Sequence, residues 1–179
     1  MPKTGLFIGR FQPFHLGHLA TVRYALTKVE TLVVVVGSAQ KSYEPRNPFT
    51  SGERLWMIKE ALDSETEIDA KRILIIPVPD VDVHSSWAGQ IDMLVPRYDL
   101  VVSNDSFTLM LFRERAVKVV EAPLYKRSQL SGTEIRNLMA RGDERWKDFV
   151  PASVERIVRE INGIERVKAI AEKGKDSHH

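Results

Sequence analysis

A short apolar run, Gly5 to Ile8, passes into a periodic apolar segment, Leu16 to Val29, through Gly9-Arg10-Phe11-Gln12-Pro13-Phe14-His15-Leu16-Gly17-His18. Gly5–Arg10 reads as a strand, and the segment as a helix with Leu19, Val22, Leu26 and Val29 on one face. A strand feeding a helix through two glycines and two histidines restricts the fold more than any other stretch. Such a handover offers backbone N–H groups and the positive end of a helix dipole to an anion, an arrangement of α/β proteins.

The remaining chain repeats the alternation. Thr31–Val36 is a β-branched run ending at Gly37, suited to a central parallel strand covered on both faces. After a polar loop, Ser38 to Thr50, Thr50 or Ser51 caps a helix with Glu53 in its first turn and Leu55, Ile58 and Leu62 as its stripe. Further strands read at Arg72–Val78, Asp99–Ser103 and Val117–Val120. Helices start at Ser85 or Ser86, at Asp105 or Ser106, and at Ser131, where Glu134 completes a capping box and the helix runs to Gly142. Beyond Pro151 two helical segments break near Asn162-Gly163. The expected fold is α/β: one Rossmann-like, doubly wound parallel sheet of about five strands, helices on both faces, and a C-terminal helical segment. A length of 179 residues favours one domain over 1–179, with 174–179 as a disordered tail.

Composition then removes function classes. There is no cysteine, which excludes disulfides, thiolate nucleophiles and Cys-held metals. A net charge of +2 is too mild to argue for a nucleic-acid surface. The N-terminus has no basic segment followed by an apolar one, and no apolar run approaches the ~20 residues of a membrane span. The expectation is a cytoplasmic protein with neither membrane nor nucleic acid as partner.

In parallel sheets ligands bind beyond the carboxyl ends of the strands. Those ends are Arg10–His18, Gly37–Gln40, Pro79–Trp87, Ser103–Asp105 and Ala122–Thr133, and they hold most of the unusual residues. His15 and His18, three apart at a helix entrance, can point the same way, and Gly17 lets a ligand approach the backbone. With Arg10 they suit a phosphate chain. An isolated histidine there would more simply cap or pack. Two ligands lack the third that a metal site needs, so no metal is assigned to the protein. Ser131-Gly132-Thr133-Glu134-Ile135-Arg136 gives a second helix start with hydroxyls and an arginine one turn in, suited to phosphate or to ordinary capping. Trp87 can face a flat ligand or join Ile91 and Leu94 in a core stripe. Asp80 can bind a ligand or turn its loop, and Arg46 can bind phosphate or stay solvated.

Gly9-Arg10-Phe11-Gln12-Pro13-Phe14-His15-x-Gly17-His18 together with Ser131-Gly132-Thr133-Glu134-x-Arg136 resembles the nucleotidylyltransferase superfamily. Gly37-Ser38-Ala39-Gln40, Asn47-Pro48-Phe49-Thr50-Ser51-Gly52-Glu53-Arg54 and Trp87 extend the resemblance to the archaeal type of nicotinamide mononucleotide (NMN) adenylyltransferase, from about Leu6 to about Ile170. The resemblance implies transfer of AMP from ATP to NMN, giving NAD and pyrophosphate, by direct attack on the α-phosphate with Mg²⁺ accompanying ATP. It implies His15, His18, Arg10 and Arg136 as catalytic groups. It places ATP against Gly9, Phe11, Gln12, Pro13, Gly17, Arg46, Arg127, Ser131 and Thr133, and NMN against Ser38, Asp80, His84 and Trp87. It also implies a homo-oligomer, a hexamer. His84 stands where close relatives are expected to carry Asn, and Leu130 where an aromatic is expected. Another phosphorylated acceptor, such as pantetheine phosphate or FMN, and a non-catalytic nucleotide sensor are the alternatives. A fragment of a class I aminoacyl-tRNA synthetase would share the histidine motif but needs a tRNA-binding extension this chain lacks.

Overall fold

The structure is a computed structural model that describes residues 2–82, 86–125 and 130–176. Five parallel strands form one sheet in the order β3-β2-β1-β4-β5. They are β1 (Thr4–Gly9), β2 (Thr31–Val36), β3 (Ile73–Pro77), β4 (Leu100–Ser103) and β5 (Lys118–Glu121). The helices are α1 (Leu16–Leu26), α2 (Ser51–Asp63), α3 (Trp87–Leu94), α4 (Ser106–Glu114), α5 (Gly132–Ala140), α6 (Ala152–Glu160) and α7 (Gly163–Asp176). The order reverses at β1, which pairs with β2 on one side and β4 on the other. Its carboxyl end is therefore the topological switch point, where the flanking connections diverge and leave a crevice.

β2 shows why the fold is layered on both faces. Leu32, Val34 and Val36 enter one core with α1, α2, α5, α6 and α7, whereas Val33 and Val35 enter the other, with Ala88 and Ile91 of α3 and Phe112 of α4. The β-branched run has no polar alternation because neither face meets water. No helix among the described residues is long and apolar enough to cross a membrane.

Several element ends differ from their sequence reading. α1 stops at Leu26, short of Val29, because Thr27 closes it and the chain must turn to enter β2 at Thr31. Val29 is still fully buried, packed in the loop rather than on the helix stripe. The side chain of Arg72, read as part of β3, instead donates to the carbonyls of Leu26, Val29 and Glu30, where α1 has run out of partners. Ser86 precedes α3 but makes no side-chain cap, and Ser85 lies outside the described residues. At α5 only half of the capping box forms: Ser131 Oγ accepts from the Glu134 N–H, while the Glu134 carboxylate turns to Arg141. A 3₁₀ helix over Glu144–Phe149, which no periodicity announced, buries Trp146. α7 continues through Asp176, into the stretch read as tail, and Ser177, His178 and His179 lie outside the described residues.

Candidate active site

β1 ends at Gly9, and the chain reaches α1 through a tightly held loop. Phe11 takes a positive φ of 53°, and Phe11, Phe14 and Gln12 are buried. The Gln12 carboxamide pairs with the Phe49 backbone in both directions, at 2.9 and 3.0 Å. Phe11, Gln12 and Pro13 direct their side chains into the protein and brace the loop, instead of lining the cavity.

His15 is the N-cap of α1, and it shares the task with His18. The His18 N–H donates to His15 Nδ1 at 3.3 Å, and the His15 N–H donates to His18 Nδ1 at 3.2 Å. The rings stack with centroids 3.5 Å apart and planes 20° apart. An imidazole nitrogen that accepts a hydrogen bond carries no proton, so the network assigns both protons to Nε2. Burial pushes His15 down to about 4, and burial with the neighbouring His15 holds His18 well below its ordinary value. Both rings are therefore neutral at pH 7, and each has one N–H left to give. Capping, one of the competing readings in the sequence, uses Nδ1 of each ring and leaves the opposite nitrogen for the other. Gly17 has a more specific purpose than open access: a Cβ there would lie 3.0 Å from the His15 ring.

His15, His18, Gly9, Arg10 and Gly17 line a cavity of about 860 Å³ along the carboxyl edge of the sheet. Ser38, Asp80, Trp87, Ser103 and Ser131 line it too, so the five expected chain segments meet, with Arg46 beside them. His84 and Arg127 lie outside the described residues.

Cationic groups crowd one end. Arg46 sits in a tight turn closed by backbone bonds between Glu44 and Asn47 at 3.2 and 3.0 Å. Burial and the nearby Arg46 lower the Arg10 guanidinium, with Asp80 opposing them. Arg136 departs from expectation. It is buried, and its guanidinium donates to Gln12 O at 2.9 Å, Pro45 O at 3.2 Å and Thr133 Oγ1 at 3.3 Å. It therefore stands behind the cavity wall with Thr133, joining the β1 loop to the Arg46 turn. Burial, Arg10 and Arg46 bring it down to about 10, so it remains charged at pH 7.

The other end is built around Asp80. Its carboxylate accepts from Ser38 Oγ at 3.0 Å and pairs with Lys41 Nζ at 3.2 Å. Gln40 clamps the Asp80 backbone, accepting its N–H at 2.9 Å and donating to its carbonyl at 3.4 Å. Asp80 thus shapes its loop and faces the cavity at once. Trp87 does likewise: it packs edge-on against Phe112, with centroids 6.3 Å apart, and is only half-buried.

Sequence reasoning missed Lys41, Glu44, Asn104 and Arg54. The first two belong to a polar loop with no periodicity to aim them, and Asn104 donates weakly to Thr21 at 3.4 Å. Arg54 had a signal: it closes the Asn47–Arg54 segment that carries the resemblance and stands four residues before Ile58 of the apolar stripe.

The model of the cytidylyltransferase-like family matches residues 6–138. A nicotinamide-nucleotide adenylyltransferase of Pyrobaculum aerophilum is 43% identical over 94% of this chain and 94% of its own length. One of the same name from Thermococcus kodakarensis is 42% identical over 96% of this chain and 90% of its own. A bifunctional NMN adenylyltransferase/ADP ribose pyrophosphatase from Francisella tularensis, solved with AMP and a manganese ion, superposes with a TM-score of 0.70 at 23% identity. That superposition covers 97% of this chain and 56% of the bifunctional one, so this chain spans little more than half its length.

Proposed function

This chain belongs to the cytidylyltransferase-like family and within it to the nicotinamide-nucleotide adenylyltransferases, and from that premise we propose that it joins ATP and NMN into NAD with release of pyrophosphate. An oxygen of the NMN phosphate attacks the α-phosphorus of ATP. The bond from that phosphorus to the bridging oxygen breaks, and pyrophosphate leaves with its electron pair. Such a transfer asks the protein for positioning and for charge, not for a covalent intermediate.

The observation that carries the reading is the mutual histidine cap. It fixes two neutral Nε2–H donors side by side at the N-terminus of α1, where phosphate oxygens are also met by the helix dipole. In this reading His15 and His18 hold the ATP phosphates, Arg10 and Arg46 meet the triphosphate directly, and Arg136 adds charge from behind. Gly9, Gly17 and Ser131 border the nucleotide. Ser38, Asp80 and Trp87 receive NMN, with the indole against the pyridine ring, and Arg127 and His84 take the ATP and NMN sides respectively. No three His, Asp or Glu side chains gather as a metal cage among the described residues. Mg²⁺ is read as part of the substrate, entering on the phosphates of ATP. The chain is read as one nucleotidylyltransferase domain that works in the cytoplasm as a hexamer, without nucleic acid or membrane.

The test is an assay with ATP and Mg²⁺ against NMN, FMN and phosphopantetheine in parallel. NAD and pyrophosphate should appear in equal amounts with NMN. Pyrophosphate release with one of the other acceptors only, or ATP binding with no release at all, would overturn the reading.

A further inference from the structure

Arg54 does not itself line the cavity, and its position is hard to explain by stability. It lies in the first turn of α2, where a positive charge opposes the helix dipole. Its side chain is fully buried, and among the described residues it forms no ion pair. A buried guanidinium without a carboxylate is costly unless its donors are satisfied. Here they go to four backbone carbonyls: Thr50 at 3.2 Å, Arg10 at 2.8 Å, Gly37 at 2.8 Å and Ser38 at 3.0 Å.

Three of those carbonyls belong to residues that line the cavity. Arg10 follows β1 and Gly37 and Ser38 follow β2, so the guanidinium bridges the carboxyl ends of two adjacent strands at the switch point. In a trans peptide the N–H points opposite to the C=O. Drawing the Arg10 and Gly37 carbonyls inward therefore aims the N–H groups of Phe11 and Ser38 away from Arg54. Ser38 is held at a φ of 49°, a left-handed conformation that a non-glycine residue keeps only under restraint, and its carbonyl is among those gathered. Burial and the neighbouring Arg10 bring Arg54 down to about 10, so it stays charged and adds to the field of Arg10 and Arg136.

We propose that Arg54 is a positioning residue for phosphate transfer: by gathering the carbonyls of Arg10, Gly37 and Ser38 it sets the direction of the cavity-facing groups on both strand ends. The inference rests on the adenylyltransferase reading. Arg54→Lys keeps the charge and cannot span four carbonyls, because an ammonium is a point donor. Arg54→Met keeps the bulk and loses both.

Each variant is assayed beside the wild type, with thermal unfolding recorded. Arg54→Lys should fold and lose at least tenfold in kcat for NAD synthesis. Arg54→Met should in addition bind a non-hydrolysable ATP analogue at least tenfold more weakly, measured calorimetrically without NMN. A folded Arg54→Lys protein with kcat and KM within twofold of wild type would reduce Arg54 to packing and overturn the proposal. Should both variants fail to fold, the wild type still decides: the Arg54 Nε–H resonance, followed by ¹⁵N NMR, should shift when the ATP analogue binds, and an unmoved resonance would overturn it. A wild type that makes no NAD would instead overturn the adenylyltransferase reading, and the analogue-binding comparison would still judge Arg54.

Discussion

The two ends of the cavity are built differently. At the end proposed for the phosphates, backbone and side chain are locked together: two histidines cap each other, Gln12 pairs twice with Phe49, and Arg54 and Arg136 are spent on carbonyls. At the end proposed for the acceptor, Asp80 and Trp87 are only half-buried, and the Asp80 partners Lys41 and Gln40 stand in a solvated loop. The difference is chemical. A triphosphate undergoing transfer needs donors fixed before it arrives, since reorganising them costs barrier height. An acceptor must enter, dock a flat ring and leave as part of a larger product, so its half of the site is lined by partly exposed side chains.

Substitutions can break this contrast. The largest effect is expected at the histidines. His18→Ala should cut kcat by about 10²–10³-fold, the typical loss of one preorganised donor. His15→Asn sharpens the point: its Oδ1 can still accept the helix N–H, so thermal stability should hold while kcat falls as steeply. If His15→Asn keeps its activity, the Nε2 donor is not what the site uses. Next comes Trp87→Ala, which should raise KM for NMN roughly tenfold, about 1.4 kcal/mol, and leave KM for ATP unchanged. Equal changes in both would erase the division into two ends.

A smaller effect concerns pH. The His15 value in the folded protein, about 4, lies below the ordinary 6.5. A depressed value means that the unfolded chain binds the proton first. His15 thus contributes stability that is complete above about pH 6.5 and is lost as pH falls toward 4. The melting temperature should decline over that window and lie flat from there to pH 8, and His15→Asn should shallow the decline. An unchanged slope would place the titration elsewhere. The smallest effect is expected at Ser131→Ala, where loss of one helix cap should cost about 1 kcal/mol, a drop of roughly 2–4 °C in Tm. A larger loss of activity than of stability there would bring Ser131 into contact with the nucleotide.

The sequence carried the layered sheet well, because its signals are local. Thr31–Val36 is β2 to the residue, Ser131 caps its helix as expected, and of the alternatives Thr50 or Ser51 and Asp105 or Ser106 the first of each pair is the cap. The motif also located the cavity, since strand ends converge by topology. It did not say which residues of Arg10–His18 face a ligand. Phe11 reverses the chain direction with its positive φ, so its aromatic ring and the Gln12 amide turn inward. Nor could spacing show that His15 and His18 bond each other's backbone, or that Arg54 and Arg136 reach residues 16 to 124 positions away. Those contacts exist only once the sheet has brought its ends together.

The protonation of the histidine pair is the most direct measurement of this account. Long-range ¹H–¹⁵N correlation spectra of the imidazoles at pH 7 should show both His15 and His18 neutral with the proton on Nε2, with His15 titrating only near pH 4 and His18 well below its ordinary value. An imidazolium at pH 7, or a proton on Nδ1 of either ring, would contradict the mutual cap and the phosphate site built on it.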